Sequence, residues 1–105
     1  MPVPRDPIHP PSLSRTERYI LELLGREERY GLELVTASNG RLKRGTIYVT
    51  LGRMEVKGFV RSRTDPEPSG HGGLPRRLYA VTPLGRRTLA AWTQLLTRLM
   101  PEYGR

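Results

Sequence analysis

Residues 44–63 read RGTIYVTLGRMEVKGFVRSR, and residues 75–87 read PRRLYAVTPLGRR. In the first stretch Ile47, Leu51 and Met54 recur at i, i+4 and i+7, the spacing of one buried helix face. The spacing predicts a helix from about Gly45 to Lys57, stopped by Gly58. Phe59, Val60 and Arg61 to Arg63 then read as a strand. Residues 65–75, DPEPSGHGGLP, are turn chemistry that no regular element tolerates. Arg77 to Val81 reads as the returning strand, with Tyr79 and Val81 toward the core and Leu78 and Ala80 on the opposite face. Thr82-Pro83 opens another helix, because Thr accepts a bond from an orphan N–H and Pro has no donor to lose at the first position.

Two helices are expected upstream of this block. Ser14-Arg-Thr-Glu17 matches a capping box, in which the Ser hydroxyl and the Glu carboxylate satisfy each other's amides. The helix it starts carries Tyr19, Ile20, Leu23 and Leu24 on its apolar side and ends at Gly25. Arg26 to Arg29 reads as a charged loop. A second helix follows from about Tyr30 to Ser38, with Leu32, Leu34 and Val35 apolar. Asn39-Gly40 tolerates positive φ and suits the turn after it. Residues 1–12 hold Pro2, Pro4, Pro7, Pro10 and Pro11, so an extended, mobile arm is expected there. The last helix runs to about Met100, where Pro101 closes it. Its Leu89, Trp92, Leu96 and Leu99 form a seam resembling a and d positions, widened by Leu95 and Met100.

The charge is not spread evenly. Residues 1–40 sum to −1, residues 41–87 to +8 and residues 88–105 to +1. The surplus therefore sits on the block quoted first, the electrostatic footprint of a nucleic-acid binder. A solvated basic face is the plainer reading of the same charges. With 105 residues and no cysteine, the chain is one small domain without disulfides or thiolate metal sites. No 18-residue apolar run is present and the N-terminus lacks a secretory h-region, so a cytoplasmic protein is expected.

Three helices followed by a two-stranded wing is the winged helix-turn-helix order. The third helix would then lie in the major groove and the wing beside it. Candidate DNA contacts are Lys43 and Arg44 before that helix, where its N-terminal dipole already favours phosphate. Thr46, Tyr48, Val49, Thr50 and Arg53 lie off its buried stripe, and Arg76 and Arg77 flank the wing tip. Tyr48 has a second reading, packing against helix 2 or the wing, and Arg53 a second, pairing with Glu33 or another acid. Arg61 and Arg63 read as solvated strand residues and His71 as an exposed loop residue. The wing tip carries Asp65 and Glu67, which would repel phosphate and bow the tip away.

The stretch GRLKRGTIYVTLGRMEVKGFV with GGLPRRLYAVTPLGRRTL resembles the PadR family of winged-helix regulators. Gly45-Thr-Ile-Tyr48, Leu51, Met54-Glu55, Gly58-Phe-Val60, Arg76-Arg77, Tyr79, Thr82-Pro83 and Gly85 carry the match. Tyr30-Gly31-Leu32-Glu33-Leu34 matches the family's second-helix phrase, and the resemblance spans about residues 16–100. Val49 departs from it, since the family usually has Pro there. The resemblance implies a short-form member that is mainly α with a small β-hairpin, an α+β chain. Residues 13–81 would form the winged helix-turn-helix, 82–101 a C-terminal dimerisation helix and 102–105 a tail. It implies a homodimer joined through Leu89, Trp92, Leu96 and Leu99, binding a pseudo-palindromic double-stranded operator as a repressor. It also implies a small hydrophobic effector against Trp92, beside the plainer reading of Trp92 as interface packing.

An enzyme is not expected. His9 and His71 are loop residues far apart, no nucleophile sits beside a base, and no metal or cofactor site is evident. Two rivals remain, a non-specific nucleic-acid binder and a protein-interaction adaptor. Val49 and the acidic wing tip motivate the second.

Overall fold

The computed structural model describes residues 12–66 and 76–104. The expected N-terminal arm, apart from Ser12, and the wing tip from Glu67 to Pro75, including His71, lie outside the described residues. The elements run α1 (Arg15–Leu24), β1 (Arg29–Tyr30), α2 (Gly31–Ala37), α3 (Arg44–Val56), β2 (Val60–Thr64), β3 (Arg77–Val81) and α4 (Pro83–Leu99), then a 3-10 turn at Pro101–Gly104. Helices dominate and one small antiparallel sheet supports the wing, so the α+β winged-helix class is as expected.

The helix starts obey their local chemistry. Ser14 Oγ accepts from the Glu17 amide at 3.0 Å, and Glu17 Oε1 accepts from the Ser14 amide at 2.9 Å. Thr82 Oγ1 accepts from the Gly85 amide at 3.0 Å. Glu33 Oε1 accepts from the Tyr30 amide at 2.7 Å at the entry to α2. Between α2 and α3 the chain turns through Asn39 (φ 53°) and Gly40 (φ 92°). Ser38, buried at that turn, accepts from the Leu42 amide at 2.9 Å and donates to the Val35 carbonyl at 2.7 Å.

The core gathers Ile20, Leu21 and Leu24 of α1, Leu34 of α2, Leu42, the Ile47/Leu51/Met54 stripe of α3, then Phe59, Val60, Tyr79 and Val81. Each such side chain contributes about 1.5–3 kcal/mol when fully buried. Tyr79 and Val81 face the core as their alternation predicts. Ala80 is buried as well, with β1 and β2 flanking the middle strand β3 on its two edges.

Two expectations change. Arg26 to Arg29 is not wholly a charged loop: Arg29 and Tyr30 form β1, pairing with β3 opposite Tyr79 and Leu78. The hairpin is therefore a three-stranded sheet of order β1-β3-β2, and α2 begins at Gly31. A two-residue strand is too short for alternation to register, and its partner lies about fifty residues away in sequence. Second, Lys57, expected only as the end of the third helix, is the C-cap of α3 and reaches back to α1. Its Nζ lies 2.8 Å from Glu17 Oε2 and 2.9 Å from Oε1, and Glu17 is buried.

That pair makes stability depend on pH. Burial pushes the Glu17 carboxyl up, but bonds from the Lys57 ammonium and from Ser14 outweigh it, leaving its pKa below 4.5. A depressed pKa contributes stability that is complete above the unfolded value and lost as pH falls through the folded one. Glu17→Gln should cost about 1–2 kcal/mol at pH 7. That is less than a fully buried pair, since Lys57 keeps 37% of its side chain exposed. Melting curves from pH 7 to pH 3 should show the wild type converging on the variant as pH falls below about 4.5. Parallel curves would remove the pair from the account.

The start of α4 is locked to the end of α3. Gly58 sits at φ 86° after α3, Thr82 Oγ1 donates to the Gly58 carbonyl, and the Thr82 amide donates to the Phe59 carbonyl at 3.0 Å. Gly85 rides directly over that carbonyl: a Cβ there would lie 2.1 Å from Phe59 O.

Candidate nucleic-acid interface

The turn that ends in Lys43 delivers α3 to the surface with its first residues uncovered. Lys43 is the N-cap, with extended backbone and no side-chain cap bond, and Thr46 Oγ1 donates weakly to its carbonyl at 3.5 Å. Lys43, Arg44, Thr46, Val49 and Arg53 are all exposed. No ion pair or hydrogen bond holds the charged groups of Lys43, Arg44 or Arg53 among the described residues. The pairing of Arg53 with Glu33 is absent, because Glu33 is turned to the Tyr30 amide. Thr50 is half-buried at the flank of the core and is less outward than the other candidates.

Tyr48 lies between the two readings given for it. It is 48% exposed, yet its ring covers Gly31, where a Cβ would stand 2.7 Å from Tyr48 Cε1. Gly31 thus lets the Tyr48 ring lie close over the start of α2. Tyr48 also lines a groove of about 230 Å³ with Tyr30, Leu32, Arg76, Arg77 and Tyr79, at the junction of α3 and the wing.

The wing base is built around Tyr30. Its ring carries the Arg76 guanidinium at 4.0 Å, a stacking contact favoured by the ring's negative face. Its hydroxyl donates to the Asp65 carboxylate, which holds the phenol above its ordinary pKa of 10.0. The Asp65 amide in turn donates to the Arg76 carbonyl at 2.7 Å. Asp65 therefore closes the strand pair and is held at the wing base, with its negative charge retained. Glu67 lies outside the described residues.

Arg77 is exposed, and its guanidinium donates to Ser62 Oγ at 3.1 Å and Thr64 Oγ1 at 3.4 Å, aligned along β2. Ser62 Oγ donates to Glu55 Oε2 at 2.9 Å, tying the wing to α3. Arg63 is not a solvated cation. It makes a two-pronged bond to Glu28 at 2.7 and 2.6 Å, which keeps the Glu28 carboxyl below its ordinary value. Glu28 and Tyr30 were not legible as part of the wing, because each meets a partner about 35–46 residues away in sequence.

At the other end, α4 presents Leu95, Leu99 and Met100 exposed, with Leu89, Trp92 and Leu96 half-buried. Trp92 Nε1 is buried and meets no acceptor among the described residues. Among the described residues no cluster of His, Cys, Asp or Glu could hold a metal, and no helix is long and apolar enough to cross a membrane.

The sequence model of the transcriptional regulator PadR-like family matches residues 20–91. A PadR family transcription regulator from Clostridium difficile R20291 has a similar structure (TM-score 0.66, 29% identity), covering 84% of this chain and 96% of that one. A PadR family transcriptional regulator from Eggerthella lenta DSM 2243 gives a TM-score of 0.67 at 30% identity over 83% and 76% of the two chains. The fold is also similar to Bacillus subtilis PadR in complex with operator DNA (TM-score 0.64, 24% identity), over 77% of this chain and 48% of that one. A comparison with curated proteins gave no match.

Proposed function

Because the chain belongs to the PadR-like family of transcriptional regulators, we propose that it binds a pseudo-palindromic operator as a homodimer in the cytoplasm and represses by occupying it. The observation that carries this reading is that Lys43, Arg44 and Arg53, on the open side of α3, have no ion pair among the described residues. By contrast Lys57, Arg63 and Arg29 are each taken up by a glutamate. Cations left uncompensated on one face attract a polyanion and release its counterions. Arg76 and Arg77 extend that face along the wing. The operator bound by the Bacillus subtilis protein is the matching partner chemistry.

In this reading residues 13–81 read DNA and 82–101 join the subunits. The α4 seam of Leu89, Trp92, Leu96 and Leu99 is buried by the second copy, which sets the two α3 helices about 34 Å apart on one duplex face. Trp92 is the candidate contact for a small hydrophobic effector; its buried Nε1 lacks an acceptor among the described residues, so such a ligand would also carry a hydrogen-bond acceptor.

Footprinting on DNA upstream of the protein's own gene tests this. The expected result is two protected half-sites about one helical turn apart, or a multiple of it. Affinity should fall steeply with salt, by about 0.9 in log–log slope per neutralised phosphate. Affinity indifferent to salt, or protection without a spaced pair, would contradict the proposal.

A further inference from the structure

Resting on the DNA-binding reading above, we infer that Val49 reads the C5-methyl of one thymine in each half-site. Opposite the buried Ile47, Leu51 and Met54, α3 turns Gly45, Val49, Gly52 and Val56 outward, at i, i+4, i+7 and i+11. Val49 is 57% exposed and Val56 88% exposed. Around Gly45 and Gly52 nothing lies within 4 Å of where a Cβ would stand. Thr46 and Arg53 flank this line on one side, Tyr48 and Glu55 on the other. Where the helix comes nearest to a groove floor, it therefore offers a hydrocarbon and no hydrogen-bonding group.

Major-groove base edges present donors, acceptors and a single apolar group, the thymine methyl. A valine pressed against a donor or acceptor leaves that group dehydrated and unpaired. Against a methyl it removes apolar surface from water on both sides. The missing side chains at 45 and 52 let the backbone come close on either side of Val49. Val49 is the sixth residue of α3, in the half that enters the groove. Val56 lies about 10 Å further along the axis, at the end that leaves it. The occupant of this face is DNA rather than an apolar protein surface. A protein helix seated on Val49 would dehydrate the unpaired Lys43, Arg44 and Arg53, whereas a duplex supplies phosphates to all three.

The test is an operator in which deoxyuridine replaces thymine at one symmetric pair of positions at a time, which removes only the methyl. One pair should weaken wild-type binding about fourfold per half-site, the worth of one buried methyl-sized group, or about fifteenfold for both. Val49→Ala should bind the thymine and uracil operators within about twofold of each other. Val56→Ala should keep the discrimination, and both variants should melt with the wild type because neither side chain is in the core. Equal wild-type affinity for every uracil operator overturns the inference and leaves DNA binding standing. Discrimination that survives Val49→Ala, or vanishes with Val56→Ala, also overturns it. Absence of any footprint removes the DNA-binding reading and this inference together.

Discussion

Gly85→Ala is expected to lower the melting temperature by about 12–24 °C, the equivalent of about 3 kcal/mol in a domain of this size. The new methyl would stand 2.1 Å from the Phe59 carbonyl oxygen and 3.0 Å from Val81 Cγ1. That oxygen is fixed, since it accepts the Thr82 amide. Relief therefore requires α4 to move away from the α3–β2 junction. The gain of Ala over Gly in helix propensity, at most about 1 kcal/mol, does not offset this. Gly52→Ala is the internal control: it is also helical, with open space around it, so it should stabilise by about 0.5–1 kcal/mol. Circular dichroism melts of the two variants should move in opposite directions. A Gly85→Ala protein melting within about 3 °C of wild type would mean that α4 is not seated where it is described.

Replacing both Lys43 and Arg44 with alanine is expected to weaken operator binding by at least about 100-fold at low salt and flatten the log–log salt slope by about 3–4 units. The slope follows from two lost cations in each subunit of the proposed dimer, at about 0.9 per phosphate. Both side chains stand at the exposed entrance to α3, where the helix dipole adds to their charge. Neither is bonded within the described residues, so the fold should be indifferent to their loss. Discrimination between operator and random sequence should change little, because phosphate contacts position without specifying. Fluorescence titrations between 50 and 200 mM salt would check this. An unchanged slope would move the phosphate contacts off this helix entrance.

The sequence was legible where structure is decided within a few residues. Ser14 with Glu17, Thr82 with Pro83, Asn39 with Gly40, and the Ile47/Leu51/Met54 stripe all formed as their spacing predicts. The illegible parts pair residues across the chain. Nothing in Arg29-Tyr30 announces a strand, because its partner β3 arrives only after α2, α3 and β2 are in place. Glu17 was readable as a capping residue, but the same carboxylate also takes Lys57, forty residues on. In the interface, the position of Lys43, Arg44 and Arg53 follows from helix periodicity. The capture of Arg63 by Glu28, and of Asp65 by Tyr30, does not. The surplus positive charge thus overstates the cations free to meet a phosphate.

The lock between Gly58-Phe59 and Thr82-Gly85 has a mechanical consequence. The carbonyls of Gly58 and Phe59, the two residues after the C-cap of α3, both hold Thr82, so α4 begins on the joint where α3 ends. In the proposed DNA-bound dimer, the groove-reading and subunit-joining elements would then turn as one lever. A few degrees of tilt where two α4 helices meet would be carried undamped to both α3 helices, changing the distance between them. The spacing of half-sites that the protein accepts is, on this view, calibrated at the far end of the molecule from the bases it reads.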